Sequence, residues 1–308
     1  MKQETLKKVS YSILVGPSVL LYASFMIFPV IACFTLSFTN WAGQGFGEWW
    51  ASGQGEVGKQ LFVGLTNYLT ALKDPVFLHG LRNNIAVVGI SVLGQIPVGF
   101  VLAYIIHRKL VRFENFFTAM IFLPITISAV VVALLWQQIF SPVGLYTTFV
   151  RMITGNPRYV LQIFENKTFA ILPVLFVILW MYTGIYLIIF LANLQKINPS
   201  IIEAAIIDGA SEGQILFKII IPSMLNVIFT TMIFAISGSL TSFDLIWAMT
   251  GGGPAHYTEV IAIYMYVNTF KYYKYGFGAA VSMIIVILSV GLISLLQAIF
   301  KKFEAQYE

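Results

Sequence analysis

Long apolar runs alternate with short polar segments along this chain. Six runs contain no charged residue: 9–38, 85–106, 115–150, 168–195, 219–243 and 275–300. A helix needs about 20 residues to cross about 30 Å of hydrocarbon, and every run is at least that long. The pattern therefore predicts an all-α polytopic membrane protein, with six transmembrane helices forming one domain over residues 1–308.

Breaks in the pattern set the limits of the predicted spans. The third run exceeds one crossing, but Ser141-Pro142-Val143-Gly144 interrupts it too early for a second helix to cross the membrane. We therefore expect a single helix there. The predicted spans are about 11–38, 83–106, 116–139, 169–193, 222–247 and 277–299.

Composition and charge agree with this topology. Hydrophobic residues make up 58% of the chain and charged residues 10%, which excludes an ordinary soluble protein. Basic residues are denser on the side of the two termini, which predicts cytoplasmic termini. On that side lie Lys2, Lys7, Lys8, Arg108, Lys109, Arg112, Lys196, Lys218, Lys301 and Lys302. The net charge of +5 thus reflects topology, and we expect no nucleic acid partner.

One polar segment, 198–222, lies between the fourth and fifth predicted spans and is predicted to be cytoplasmic. Asn198 before Pro199 is the favoured order of a helix cap and a first helical residue, and Ser200-x-x-Glu203 matches a capping box. A short helix is therefore expected to begin at 198–200.

A second short helix is predicted after a glycine elbow. Gly209 can adopt the left-handed conformation that ends the first helix, and Ser211-x-x-Gln214 matches another capping box. The first helix has apolar residues around nearly its whole circumference, which predicts burial in a groove of another protein. The alternative, a loop lying on the membrane surface, is disfavoured because such helices carry a basic polar face.

The motifs of this segment resemble those of a known family. Glu203-Ala204-Ala205, Asp208-Gly209-Ala210 and a later Thr-Gly-Gly-Gly-Pro resemble the EAA loop region of permease subunits of binding-protein-dependent ABC importers, in the carbohydrate-uptake branch that contains the larger maltose permease subunit. The resemblance implies a coupling helix that docks in a cleft of an ATPase. Glu203 would pair with a basic ATPase residue, Ala204 and Ala205 would enter the groove, and Gly209 would form the elbow. Asp208 and Ala210 complete the expected ATPase-coupling set.

The resemblance also implies partners and location. It predicts a second homologous permease subunit, a cytoplasmic ATPase dimer, an extracytoplasmic solute-binding protein and membrane lipid, in a prokaryotic cytoplasmic membrane. ATP and magnesium would be used by the ATPase, and no cofactor is expected in this chain.

The stretch Gly53–Lys59 matches the nucleotide-binding pattern G-x-x-x-x-G-K. However, Gln60 follows where a nucleotide loop has Ser or Thr, and no apolar strand precedes the stretch, so we expect no ATP binding by this chain itself.

The predicted solute path is polar but uncharged. Secondary transporters keep ionisable residues within their spans. The cores of these six spans contain no ionisable residue, which disfavours a secondary transporter. A membrane enzyme is disfavoured because no His/Asp/Glu cluster lies in the spans. The resemblance implies that a sugar contacts residues of the fourth and fifth spans, here Trp180, Met181, Tyr182, Ser239 and Ser242. Another polar solute, such as glycerol phosphate, stays open. Asp244 is expected at the outer membrane interface.

Overall fold

The computed structural model describes residues 14–43 and 61–304. Within these ranges the regular elements are helices, apart from one isolated β-bridge between Thr39 and Phe62. The Gly53–Lys59 motif, the basic residues Lys2, Lys7 and Lys8, and the first three residues of the predicted span 11–38 lie outside the described residues.

The helices are numbered here in chain order. They are α1 (Leu14–Leu36), α2 (Thr66–Lys73), α3 (Pro75–Ile90), α4 (Ile96–His107), α5 (Glu114–Thr126), α6 (Ala129–Ile139), α7 (Leu145–Thr154), α8 (Ile171–Leu194), α9 (Pro199–Ile207), α10 (Glu212–Ile215), α11 (Leu225–Leu240), α12 (Asp244–Thr250), α13 (Ile261–Tyr266) and α14 (Tyr275–Glu304). A π-helical turn, Ser91–Gln95, joins α3 to α4, and another, Leu216–Ile220, continues α10.

Four helical segments are long and apolar enough to cross a membrane. They are Leu14–Leu36, Pro75–His107, Ile171–Leu194 and Tyr275–Lys302. Two bent pairs bring the number to six if each pair crosses once: α5 with α6, and Glu212–Ser223 with α11. The prediction of an all-α polytopic membrane protein is confirmed.

The third predicted span, expected to be a single helix, is divided into two helices. The axes of α5 and α6 differ by 96° across a two-residue break, at which Ile127 has an extended backbone with ψ 145°. The sequence there, Pro124-Ile-Thr-Ile-Ser, combines a proline with three β-branched residues, all of which lower helix propensity. The chain therefore leaves the helix and re-enters it in a new direction.

The fifth predicted span, 222–247, is also interrupted. Helix α11 ends at Leu240, α12 begins at Asp244, and Phe243 between them has a non-helical φ of −137°. The Thr241 hydroxyl donates to the Ser237 carbonyl at 3.0 Å. Hydroxyl side chains compete in this way with backbone hydrogen bonds and favour helix ends.

The described residues fall into two compact units. The first takes its residues from Met1–Asp74 and Met265–Ile287, and the second from Pro75–Tyr264 and Leu288–Glu308. In the first unit, the Asn67 side-chain amide donates to the carbonyls of Ser37 (2.9 Å) and Thr39 (2.7 Å). These bonds tie α2 to the residues that follow α1.

The second unit is centred on α8, which packs closely against α4 and α5. A Cβ atom added at Gly99 of α4 would lie 2.7 Å from the Tyr186 Cβ, and one added at Gly184 of α8 would lie 2.5 Å from the Ile121 carbonyl oxygen. Only glycine permits these two approaches. Small residues at helix contacts are typical of membrane bundles, where close packing drives association.

Candidate functional site

The polar segment between α8 and α11 begins with the capped helix α9. The Asn198 Oδ1 accepts hydrogen bonds from the Ser200 backbone N–H (3.1 Å) and hydroxyl (2.8 Å). Pro199 is the first helical residue, as predicted, because its fixed φ suits that position and its missing N–H costs nothing there. The predicted Ser200–Glu203 capping box was wrong, since Ser200 is already the second helical residue and Asn198 supplies the cap.

The elbow after α9 has the geometry predicted from its glycine. Gly209 has a φ of +78°, its N–H donates to Ile206, and the Ala210 N–H donates to the Ala205 carbonyl at 2.9 Å. These two bonds form a Schellman motif. A Cβ at Gly209 would meet no atom within 4 Å, so the glycine is required by the backbone angle and not by space.

The second capping box is confirmed. The Ser211 hydroxyl accepts from the Gln214 N–H at 3.4 Å, and the Gln214 side-chain oxygen accepts from the Ser211 N–H at 2.8 Å. Both bonds hold the first turn of α10, which fixes the backbone position of Glu212 as the first residue of this helix.

The two faces of α9 have different environments. On the inward face, Ile202 and Ala205 pack against an apolar cluster that includes Phe190 of α8, and Ile202 is only 6% exposed. The outward face leaves Ile207 84% exposed and also exposes Ile201 and Ile206. Of the predicted coupling residues, Glu203, Ala204, Asp208 and Gly209 are exposed, whereas Ala205 and Ala210 pack against the chain's own cluster.

A polar contact that the sequence analysis missed joins α10 to the end of α4. Arg108 donates from Nε to the Glu212 Oε1 (2.8 Å) and from Nη2 to Oε2 (2.9 Å), and the Tyr104 hydroxyl also donates to Oε1. The hydrogen bonds from Arg108 hold the pKa of the Glu212 carboxyl below its ordinary value. No local signal could have found this contact, because the residues lie about a hundred positions apart.

A cavity of about 530 Å³ lies within the second unit. Residues of α3, the π-helical turn, α5, α8, α11 and α12 line it. Its polar lining consists of Ser91, Gln95, Tyr182, Tyr186, Ser239, Thr241, Ser242 and Asp244. Among the described residues around it, Asp244 is the only carboxylate, and none is basic. A cavity of this size, with aromatic rings and hydroxyl groups in its wall, suits a small polar ligand.

The structure divides the five predicted path residues. Tyr182, Ser239 and Ser242 line the cavity. Trp180 and Met181 do not, because successive helical residues point in directions about 100° apart. Trp180 instead packs edge-on against Trp136, with ring centroids 5.5 Å apart, and Met181 is 2% exposed in the packed interior.

The π-helical turn between α3 and α4 contributes to the cavity wall, which the sequence did not predict. Gln95 donates to the Ile178 carbonyl at 2.8 Å, and the Ser239 hydroxyl donates to the Ser91 hydroxyl at 3.0 Å. These bonds tie the turn to α8 and α11 across the cavity wall. Asp244, expected at an interface, lines the cavity at the start of α12. No group of three or more metal-ligating side chains occurs among the described residues.

Comparison with known proteins identifies the family. The model of the "binding-protein-dependent transport system inner membrane component" family matches residues 95–304. The chain is 33% identical to the probable ABC transporter permease protein YurN of Bacillus subtilis, over 79% of this chain and 84% of that protein. It is 31% identical to the multiple sugar-binding transport system permease protein MsmF of Streptococcus mutans, over 97% of this chain and 99% of that protein.

A solved structure has the same fold. It is a chain of a bacterial alginate ABC transporter in complex with an alginate pentasaccharide-bound periplasmic protein, with a TM-score of 0.80, 19% identity and coverage of 98% of this chain and 97% of that one. The matched family model covers more than half of the chain, which confirms the predicted role of a membrane permease subunit rather than an enzyme. The chain thus belongs to the family of binding-protein-dependent transport system inner membrane components.

Proposed function

We propose that this permease carries a neutral sugar or oligosaccharide through the cavity of its second unit, in an ATP-driven importer that works by alternating access. Hydroxyl groups of Ser239 and Ser242 would bond the sugar hydroxyls, and the Tyr182 ring would pack on an apolar sugar face. An extracytoplasmic solute-binding protein would deliver the sugar. The observation that carries the proposal is this combination of hydroxyl and aromatic side chains in one cavity.

The charge in the cavity supports a neutral solute. A bound phosphate or carboxylate would face Asp244 without a lining basic side chain to offset the repulsion, which is strong in a site of low dielectric constant. This observation disfavours glycerol phosphate and acidic oligosaccharides. The name of the relative MsmF refers to multiple sugars, in keeping with a carbohydrate ligand.

The segment 198–222 is proposed to dock on a cytoplasmic ATPase dimer, which would use ATP and magnesium while this chain binds no cofactor. Exposed Ile206 and Ile207 flank Glu203 on one face of α9. Apolar side chains grouped around a charge on an exposed surface are typical of a protein interface. Both termini would then lie in the cytoplasm, and a second homologous permease would supply the other half of the pathway.

Reconstitution in liposomes tests the proposal. The chain with its partner permease, ATPase and binding protein should take up a neutral oligosaccharide only with ATP, and glycerol 3-phosphate at most weakly. Tyr182→Ala should lower uptake by about tenfold, equivalent to about 1.4 kcal/mol, while Trp180→Ala changes it little because that ring lies outside the cavity.

Two outcomes would contradict the proposal. Uptake by the isolated chain, driven by an ion gradient without ATP, would favour a secondary transporter. Equal effects of Tyr182→Ala and Trp180→Ala would place the solute path elsewhere.

A further inference from the structure

We propose that Arg108, Tyr104 and Glu212 form a clamp that links the polar segment to α4, and that this clamp passes movement of the segment to the wall of the cavity. The inference rests on the proposed function, in which an ATPase moves the segment. Arg108 and Tyr104 are positioning residues, since they touch neither the cavity nor the exposed face of α9.

Both sides of the clamp have a fixed backbone. Helix α4 ends in a Schellman motif, in which the Lys109 N–H donates to Ile106 (3.0 Å) and the Leu110 N–H donates to Ile105 (3.1 Å), with Lys109 at a φ of +52°. This motif fixes Arg108 as the C-cap, directly after the last helical residue of α4, His107. On the other side, the Ser211–Gln214 capping box fixes Glu212 as the first residue of α10.

The clamp lies beside an apolar contact and fixes the orientation of the segment, which the apolar contact alone does not. Ile215, Ile220 and Met224 are each at most 1% exposed and pack in the same cluster as Tyr104. Apolar burial holds the segment close to the bundle but does not depend on orientation. The two parallel Arg108 hydrogen bonds have a defined geometry, so they resist rotation and sliding of α10 along α4.

Helix α4 connects the clamp to the cavity. It spans roughly 18 Å by the rise per helical residue and begins directly after the π-helical turn. Ser91 and Gln95 of that turn line the cavity. The polar segment is covalently connected to α8 and α11 only. The clamp adds a directional contact with a third helix, α4, which leads to the cavity wall.

The exposure of the pair determines what its loss should do. The side chains of Arg108 and Glu212 are 23% and 52% exposed. Ion pairs with this much exposure contribute little to folding stability. Loss of the clamp should therefore leave a folded permease with its ATPase bound, and reduce the amount of solute moved per ATP hydrolysed.

The experiment uses the complete complex in liposomes and measures uptake and ATP hydrolysis together. Arg108→Glu and Glu212→Arg should each lower the ratio of uptake to hydrolysis at least fivefold, and the double variant should recover at least half of the wild-type ratio. Tyr104→Phe, which keeps the ring in its apolar site, should have a smaller effect. Arg112→Glu is the matched control, because Arg112 is exposed on the turn after α4, and it should behave as wild type.

Each outcome decides the question. A wild-type ratio in both single variants would overturn the clamp, as would a double variant no better than the singles. Loss of ATPase retention in the singles, unrescued by the swap, would show a purely structural role. A wild-type complex that takes up no solute with ATP would instead overturn the proposed function on which the clamp depends.

Discussion

Glu203 and Glu212 belong to the same polar segment but face different surroundings. Glu203, on α9, is exposed and makes no hydrogen bond or ion pair with the described residues. Glu212, on α10, accepts three hydrogen bonds from Tyr104 and Arg108 of its own chain. The first carboxylate is available to another protein, and the second is already bound within this one.

The difference between α9 and α10 shows that exposure and contacts, not residue type, distinguish an outward role from an inward one. The outward face of α9 combines Glu203, which has no partner among the described residues, with exposed Ile206 and Ile207. Helix α10 ends at buried Ile215, and buried Ile220 ends the π-helical turn that continues it. We therefore expect α9 to bind the partner and α10 to hold the segment to the bundle, which can be tested one helix at a time.

The largest effect is expected from Glu203→Gln. If the carboxylate pairs with a basic ATPase residue in the interface, removing it leaves the other charge buried without a partner, at about 3 to 5 kcal/mol. Retention of the ATPase should then weaken on the order of a hundredfold or more. Co-purification of the ATPase at a series of concentrations measures this.

The matched control for that variant is Glu212→Gln, which removes the same charge from the other helix. It should keep the ATPase bound and lower only the ratio of uptake to hydrolysis. If Glu203→Gln retains its ATPase as well as wild type, docking depends on shape and apolar contact alone.

A smaller, purely structural effect should separate the two faces of α9. Ile202→Ala removes a side chain that is 6% exposed in the apolar cluster and should lower the free energy of unfolding by about 2 to 5 kcal/mol. Ile207→Ala, at a side chain 84% exposed, should leave stability unchanged and weaken ATPase retention. Thermal unfolding of the permease in detergent measures the first effect. Equal stability losses would contradict the assignment of the two faces.

The smallest effect is expected at the elbow between the two helices. Gly209→Val forces a β-branched residue into the left-handed conformation, at about 1 to 2 kcal/mol, although its Cβ atom meets no other atom within 4 Å. Gly209→Asn should recover most of the loss, because asparagine tolerates this conformation. ATPase retention and thermal unfolding together check the pair. A valine variant equal to wild type would show that the elbow tolerates another backbone geometry.

Local sequence signals predicted the helix ends well where one residue had the capping role. Gly209 and the Ser211–Gln214 box were correct because no neighbour competes for these roles. The error at Ser200 arose because Asn198 and Ser200 both have cap chemistry, and Pro199 decides between them by occupying the first helical position. The lost capping role also means that Glu203 has no local function of that kind.

The bends and the cavity depended on information that the local pattern does not contain. Membrane helices tolerate proline, so Pro124 gave no indication that its span would turn by 96°, while Pro97 lies inside the continuous segment Pro75–His107. Apolar periodicity could not show that Ser91 and Gln95 of the second span face a cavity. Their position depends on contacts with α8 and α11, which are distant in sequence.

The two glycine contacts of α8 restrict how this bundle can deform. At Gly99 and at Gly184 the neighbouring helices approach so closely that no Cβ atom can be added, and the glycines have no flexible side chains to accommodate sliding. Shear between α4, α8 and α5 would thus bring main-chain atoms into collision. Any conformational change that preserves these contacts must move the three helices together as one rigid body. Bending is then confined to places outside these contacts, such as 127–128 and 241–243, where helical hydrogen bonding is already interrupted.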